Sequence, residues 1–68
     1  MFQRGDLVKS NRVLDWTHGN GQQWPAGQVF RIEALHDTSS GLRYSANAIT
    51  PGGLVFVSNI PPEAIEAA

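Results

Sequence analysis

The stretch Asp15–Gly27 constrains the fold of this chain most, because it is long and lacks the alternation of a β-strand. It contains both tryptophans, one of the two histidines and three of the seven glycines. On either side of it, short runs of alternating apolar residues are separated by turn signals. This pattern predicts a small β domain whose first two strands are joined by a long loop that carries aromatic side chains.

The size of the chain allows one domain, residues 1–68, with a small core. It has no cysteine, which removes disulfides and cysteine-based zinc sites. Two isolated histidines, His18 and His36, do not make a metal site, so we expect neither a metal nor a cofactor. Stability must then come from packing or from self-association.

The charge balance argues against nucleic acid as a partner. Five Lys and Arg stand against six Asp and Glu, the formal net charge is −1, and there is no basic block.

No apolar run approaches the roughly 20 residues that span a bilayer. The N-terminal residues also lack the apolar core of a signal peptide. We therefore expect a cytoplasmic protein that does not associate with membranes.

Two strands are predicted around the long loop. The first runs unevenly from Leu7 to about Leu14, with a bulge near Ser10–Asn11 where the alternation fails. The second, Gln28–Leu35, is the clearest strand of the chain, and the polar segment His36–Gly41 closes a hairpin after it. Alternation in the second strand directs one set of side chains into the core: Phe30, Ile32 and Ala34.

The third and fourth strands are predicted at Leu42–Ala48 and Leu54–Val57, with a turn at Thr50–Gly53 between them. Alternate side chains of the third strand are expected to point into the core: Leu42, Tyr44 and Ala46. The side chains between them are expected to point outward: Arg43, Ser45 and Asn47. The fourth strand is apolar on both faces, which is typical of a strand covered on both sides. Either the long loop or a second copy of the protein is expected to cover Val55 and Val57.

The C-terminal segment Pro61–Glu66 contains two prolines, which cannot both fit a strand inside a sheet. We expect a 3-10 turn followed by a very short last strand at Ile65–Glu66. A short helix through Ala68 is the alternative, although it would be marginal alone. The whole pattern predicts an all-β fold, a five-stranded SH3-like barrel with a long first loop and a 3-10 turn before the last strand.

Three segments carry a resemblance to known families. Gly5–Lys9 resembles the opening of many SH3-like barrels, and Pro51–Val57 with Ala64–Glu66 resembles their final hairpin and 3-10 turn. Nearly the whole chain is loosely similar to the type II, plasmid-borne dihydrofolate reductases. That family shares the Gly-Asp start, a Trp followed by a Gly and an apolar strand, a tyrosine in the third strand and the Pro-Gly turn. In it, four copies surround one pore.

The residues that matter for activity in that family differ here. The pore wall of the family comes from a Val-Gln-Ile-Tyr segment and from a lysine after the Gly-Asp turn. The matching positions in this chain are Leu54–Val57 and Ser10, and valines replace the glutamine and the tyrosine. The amide that orients the ligands and the phenol that packs on them are missing, so no catalytic residue is carried over. The resemblance still implies association through the fourth strand.

No other catalytic constellation is found in the sequence. Ser39 and Ser40 lack the Gly-x-Ser-x-Gly elbow of a nucleophile. Asp15 and His18 have the spacing of half an acid–base pair, but an incidental pair in a surface loop is the favoured interpretation. Gly19–Gly21 lacks the lysine and the helix of a phosphate-binding loop. A non-enzymatic role is therefore favoured.

A binding surface is the favoured functional hypothesis. Aromatic residues with polar neighbours predict a groove for an extended peptide or a small molecule. An equal alternative is that the two tryptophans simply belong to the core. Besides an interaction module that self-associates through Val55 and Val57, a divergent type II reductase and a nucleic-acid-binding barrel stay open. The proposed groove residues are Trp16, His18, Gln22, Gln23, Trp24, Arg43, Tyr44 and Asn47.

Overall fold

The computed structural model describes residues 1–15 and 23–68, which form one antiparallel five-stranded sheet in the order β4-β3-β2-β1-β5. A 3-10 turn at Pro62–Ala64 precedes the last strand. The all-β prediction is confirmed, as are the 3-10 turn and the very short last strand; the alternative of a C-terminal helix is wrong. Among these residues no helix is long and apolar enough to cross a membrane. The strands are β1 (Leu7–Ser10), β2 (Val29–Thr38), β3 (Gly41–Thr50), β4 (Gly53–Ile60) and β5 (Ile65–Ala67).

The beginning of the chain differs from the prediction. The first strand ends at Ser10 and does not reach Leu14, which instead forms an isolated bridge with Trp24. The two backbones exchange hydrogen bonds of 2.9 and 2.6 Å at this bridge. Much of the predicted long loop falls on residues 16–22, which lie outside the described residues. What the structure describes is the base of that loop.

The two hairpins of the β2-β3-β4 meander are built in the same way. Each turn has the pattern Thr-x-x-Gly, at Thr38–Gly41 and Thr50–Gly53, and the threonine hydroxyl donates to the glycine carbonyl at 2.7 Å. Both closing glycines are left-handed, with φ of +102° and +118°. A side chain is strained in that region, which explains why glycine occupies both positions. Because the first turn is so tight, β2 continues to Thr38, and the predicted loop at 36–41 is wrong.

Substitution of the left-handed glycine in the β3–β4 turn should destabilise the domain. We expect Gly53→Ala to lower the free energy of unfolding by about 1–2 kcal/mol, because the new side chain is held at positive φ. Gly52→Ala is the matched control, since Gly52 is not left-handed and its added Cβ would meet only Thr50 Oγ1, at 3.9 Å. Urea denaturation followed by circular dichroism compares the two. Equal stabilities would contradict the strain argument.

Bulges break the alternation of the two long hairpins. The register shifts between Ile32 and Ala34, where β2 has the extra residue, and opposite Tyr44–Ala46, where β4 has it. A bulge changes which face the following side chains of its own strand point to. Ser45 of β3 lies between the buried Tyr44 and Ala46 and is itself buried rather than outward. Leu42, near the end of the same strand, is 38% exposed rather than inward. Both of these side-chain predictions are wrong.

The core shows that the sheet is strongly curled. β4 and β5 are opposite ends of the sheet, yet Val57 and Ile65 belong to one cluster of buried side chains. In a flat sheet these strands would be roughly 19 Å apart. The sheet does not close into a barrel, because β4 and β5 do not pair. The predicted inward positions Phe30, Ile32, Tyr44 and Ala46 are all buried. The full cluster is Val8, Leu14, Trp24, Phe30, Ile32, Tyr44, Ala46, Ala48, Val57, Ile60, Ala64 and Ile65.

Candidate interaction surface

Ser10 holds the two ends of the long loop together. It is almost fully buried, and its hydroxyl donates to the carbonyl of Pro25 at 2.9 Å and accepts from the backbone N–H of Gln28 at 3.2 Å. Its backbone N–H donates to the Gln28 carbonyl, and its carbonyl accepts from Gly27 N–H. Ser10, the position matched to the lysine of the type II reductases, is therefore buried in this fold. A long cationic side chain could not reach solvent from it without leaving this network.

Trp24, predicted in the binding groove, lies in the core. Its side chain is 7% exposed and packs edge-on against Phe30, with ring centroids 5.9 Å apart. This agrees with the alternative that the tryptophan supplies buried area. The indole Nε1 is buried, and no hydrogen-bond partner for it is found among residues 1–15 and 23–68. Three other predicted groove residues, Trp16, His18 and Gln22, lie outside the described residues.

Tyr44, the other described aromatic residue of the predicted groove, is also buried and lies apart from Trp24. Its hydroxyl accepts a hydrogen bond from the N–H of Phe2 at 3.0 Å, and the two rings meet edge to face. Ala48, the cross-strand partner of Phe30, is four residues further along β3, a distance of roughly 13 Å. The two aromatic side chains therefore belong to different parts of the core.

The polar members of the predicted groove are not gathered around these aromatics. Gln23 is exposed, and Arg43 donates from Nη1 to the carbonyl of Leu42 at 2.8 Å. Asn47 lies between the buried Ala46 and Ala48, so it points to the outer face of the sheet, away from the core. The structure does not bring the described groove residues together. No pocket is found among the described residues.

The pair of side chains that most resembles part of a catalytic site is formed by His36 of β2 and Ser45 of β3. His36 Nε2 and Ser45 Oγ are 3.0 Å apart. The histidine is exposed, whereas the serine hydroxyl belongs to a residue that is only 3% exposed. A buried hydroxyl cannot be approached by a substrate, so the pair serves to satisfy the hydrogen bonding of Ser45, which pairs with Ala34 beside the β2 bulge. The described part of the chain holds no group of three or more acidic or histidine side chains that could bind a metal.

The two faces of β4 have different surroundings. Val57 lies in the core and Val55 packs against it, so the chain itself covers this face. Leu54 and Phe56 point the other way and are 54% and 52% exposed. The strand is apolar on both faces as predicted. The more exposed face, however, is that of Leu54 and Phe56 rather than that of the two valines.

The exposed face continues onto β3. Ile49 is the cross-strand partner of Leu54 and is 42% exposed, and Asn47 is the partner of Phe56. Cross-strand partners on one face lie within about 5 Å of each other, so these four side chains form one patch. We call this patch of Asn47, Ile49, Leu54 and Phe56 the hairpin surface.

The hairpin surface lies in an uncharged part of the chain. No Asp, Glu, Lys, Arg or His occurs between Arg43 and Glu63. Arg43 is the charged residue of β3, and the other charged side chains of the sheet lie on β1, β2 and β5. One of them, Arg31, is the cross-strand partner of Asn47 at the border of the patch and lies 3.8 Å from the Glu33 carboxylate. This run of uncharged residues is visible in the sequence and is the signal that could have directed attention to the hairpin. The strand alternation alone did not tell which face of β4 would be covered.

Comparisons with protein families, with curated proteins and with solved structures found no match to this chain. The fold defines a small all-β domain with a curled antiparallel sheet. The described surface is distinguished by the uncharged apolar face of one hairpin.

Proposed function

We propose that this chain is a non-enzymatic interaction module and that the hairpin surface is its contact surface. The observation that carries the proposal is the clustering of half-exposed Ile49, Leu54 and Phe56 on one uncharged face. Scattered exposed apolar residues are ordinary, but contiguous ones mark interaction sites. An aromatic side chain next to aliphatic ones is also the composition that carries binding energy in protein contacts.

The fold supports this proposal at a second level. We propose that the curled sheet is an SH3-like barrel left partly open. The order β4-β3-β2-β1-β5, the two tight hairpins and the 3-10 turn before β5 are the features expected of that class. SH3-like barrels are mostly binding modules, as the resemblance implies. In this chain the proposed contact lies on the β3–β4 hairpin rather than beside the long first loop.

The two alternative functions are distinguished by separate assays. A divergent type II reductase would oxidise NADPH in the presence of dihydrofolate, and a nucleic-acid-binding barrel would bind an oligonucleotide more tightly as salt is lowered. No contact or cluster among the described residues favours either one. The interaction module is the function that a specific feature, the hairpin surface, supports.

A photo-crosslinking experiment tests the contact surface. A photoreactive amino acid replaces Leu54 in one variant and Val13 in another, and both are irradiated in the native cells. Val13 is a matched control because it is 56% exposed but lies outside β3 and β4. We expect adducts of discrete mass from position 54 that are absent from position 13. If the two positions give the same adducts, or position 54 gives none, the proposal fails.

A further inference from the structure

We infer that the hairpin surface binds a second copy of this chain, face to face across a two-fold axis. This inference rests on the proposed function and names the partner for the same surface. It also places the contact on the side chains of Leu54 and Phe56, on the face opposite to Val55 and Val57.

The charge distribution favours a second copy over a different partner. In a two-fold contact every residue near the axis meets its own counterpart or a close neighbour of it. A charged patch would then face its own charge, and like-charge contacts cost several kcal/mol. The four side chains of the hairpin surface are uncharged, and the charge at their border, Arg31 opposite Asn47, lies 3.8 Å from the Glu33 carboxylate. The apolar centre can therefore face itself without that cost, and it carries no charge with which to select a partner of opposite sign.

The geometry of the patch also fits a copy of itself. The exposed parts of Ile49, Leu54 and Phe56 form an apolar centre of roughly 300 Å² per copy. Asn47 beside it and Ser58, which follows Leu54 and Phe56 at alternate positions of β4, can form the rim. With such a rim the dimer would bury roughly 1,000 Å² in total, at the lower limit for a specific interface. The expected complex is thus a weak dimer, populated at high micromolar concentration.

The test is sedimentation equilibrium across a range of concentrations up to about 1 mM, with three proteins compared. In the unmodified protein we expect the average mass to rise from 7.4 kDa toward twice that value. Phe56→Lys should weaken the dimer at least tenfold, because it places two ammonium groups near the axis. Val13→Lys adds the same charge at an equally exposed site outside the patch and should leave the dimer unchanged. Leu54→Lys is a second interface variant in case Phe56→Lys does not fold.

Each outcome decides the matter. A mass that stays at 7.4 kDa to the highest concentration overturns the inference, as does a dimer that survives both lysine substitutions in the patch. Crosslinks from position 54 to other proteins, together with a monomeric mass, would overturn the second copy and leave the interaction module standing. Adducts of twice the chain mass from position 54 support both statements. The absence of adducts from position 54 together with a constant monomer mass removes both.

Discussion

Phe30→Ala should remove a large fraction of the stability of the domain. Phe30 is completely buried between its cross-strand partners Val8 and Ala48, and it supports the ring of Trp24. Removing a buried aromatic ring costs about 3–5 kcal/mol. At 0.05–0.15 kcal/mol per residue, a domain of this length has a total stability of about 3–10 kcal/mol. Urea denaturation followed by tryptophan fluorescence and circular dichroism measures the loss.

The control for this substitution is Leu42→Ala. Leu42 is an apolar residue of β3 that is 38% exposed at the far end of the β2–β3 hairpin. We expect it to cost less than about 1 kcal/mol, because little buried area is lost. Similar losses for Phe30→Ala and Leu42→Ala would show that the core described above does not carry the stability of the domain.

Ser10→Ala should lower the free energy of unfolding by about 1–3 kcal/mol, although it removes a single oxygen. The loss leaves the Gln28 N–H and the Pro25 carbonyl with only their direct 3.2 Å hydrogen bond and without the hydroxyl that also bonds to both. Because Ser10 is 2% exposed, water cannot readily take its place. Hydrogen exchange is the sharper measurement. The Gln28 amide should lose protection in the variant by more than the global change in stability explains.

Ser39→Ala is the control for the loop-base substitution, since Ser39 is exposed in the β2–β3 turn. It should change stability by less than about 0.5 kcal/mol. If the Gln28 amide in Ser10→Ala keeps its protection relative to the global unfolding free energy, the hydroxyl does not hold the base of the loop.

Local rules were sufficient for most of the fold. The Thr50–Gly53 turn, the proline-initiated 3-10 turn and the inward face of β2 at Phe30 and Ile32 all follow from short-range steric and periodic arguments. The failures come from features that the local pattern does not show. The first strand ends at Ser10 rather than near Leu14, and the positions of the two register shifts are not fixed by the local composition.

The candidate site was only partly accessible from sequence. A large aromatic side chain suits a hydrophobic core and a binding groove equally well. The sequence therefore could not decide whether Trp24 and Tyr44 belong to the core or to a groove, and the fold shows that both are buried. Strand alternation showed that β4 has two apolar faces. It could not tell which of them, that of Val55 or that of Phe56, the curling of the sheet would cover. That choice depends on contacts between strands distant in the chain.

The shared construction of the two hairpins has a consequence for the order in which the structure forms. Strands β2, β3 and β4 are joined by tight turns and pair residues at most 18 positions apart, so their pairing requires little loop-closure entropy. β1 and β5 pair residues from opposite ends of the sequence, such as Val8 with Ala67. The folding transition state should therefore contain the meander, while the β1–β5 pairing follows after the barrier. Changes in the Thr-x-x-Gly turns would then slow folding, and changes in β5 would mainly speed unfolding.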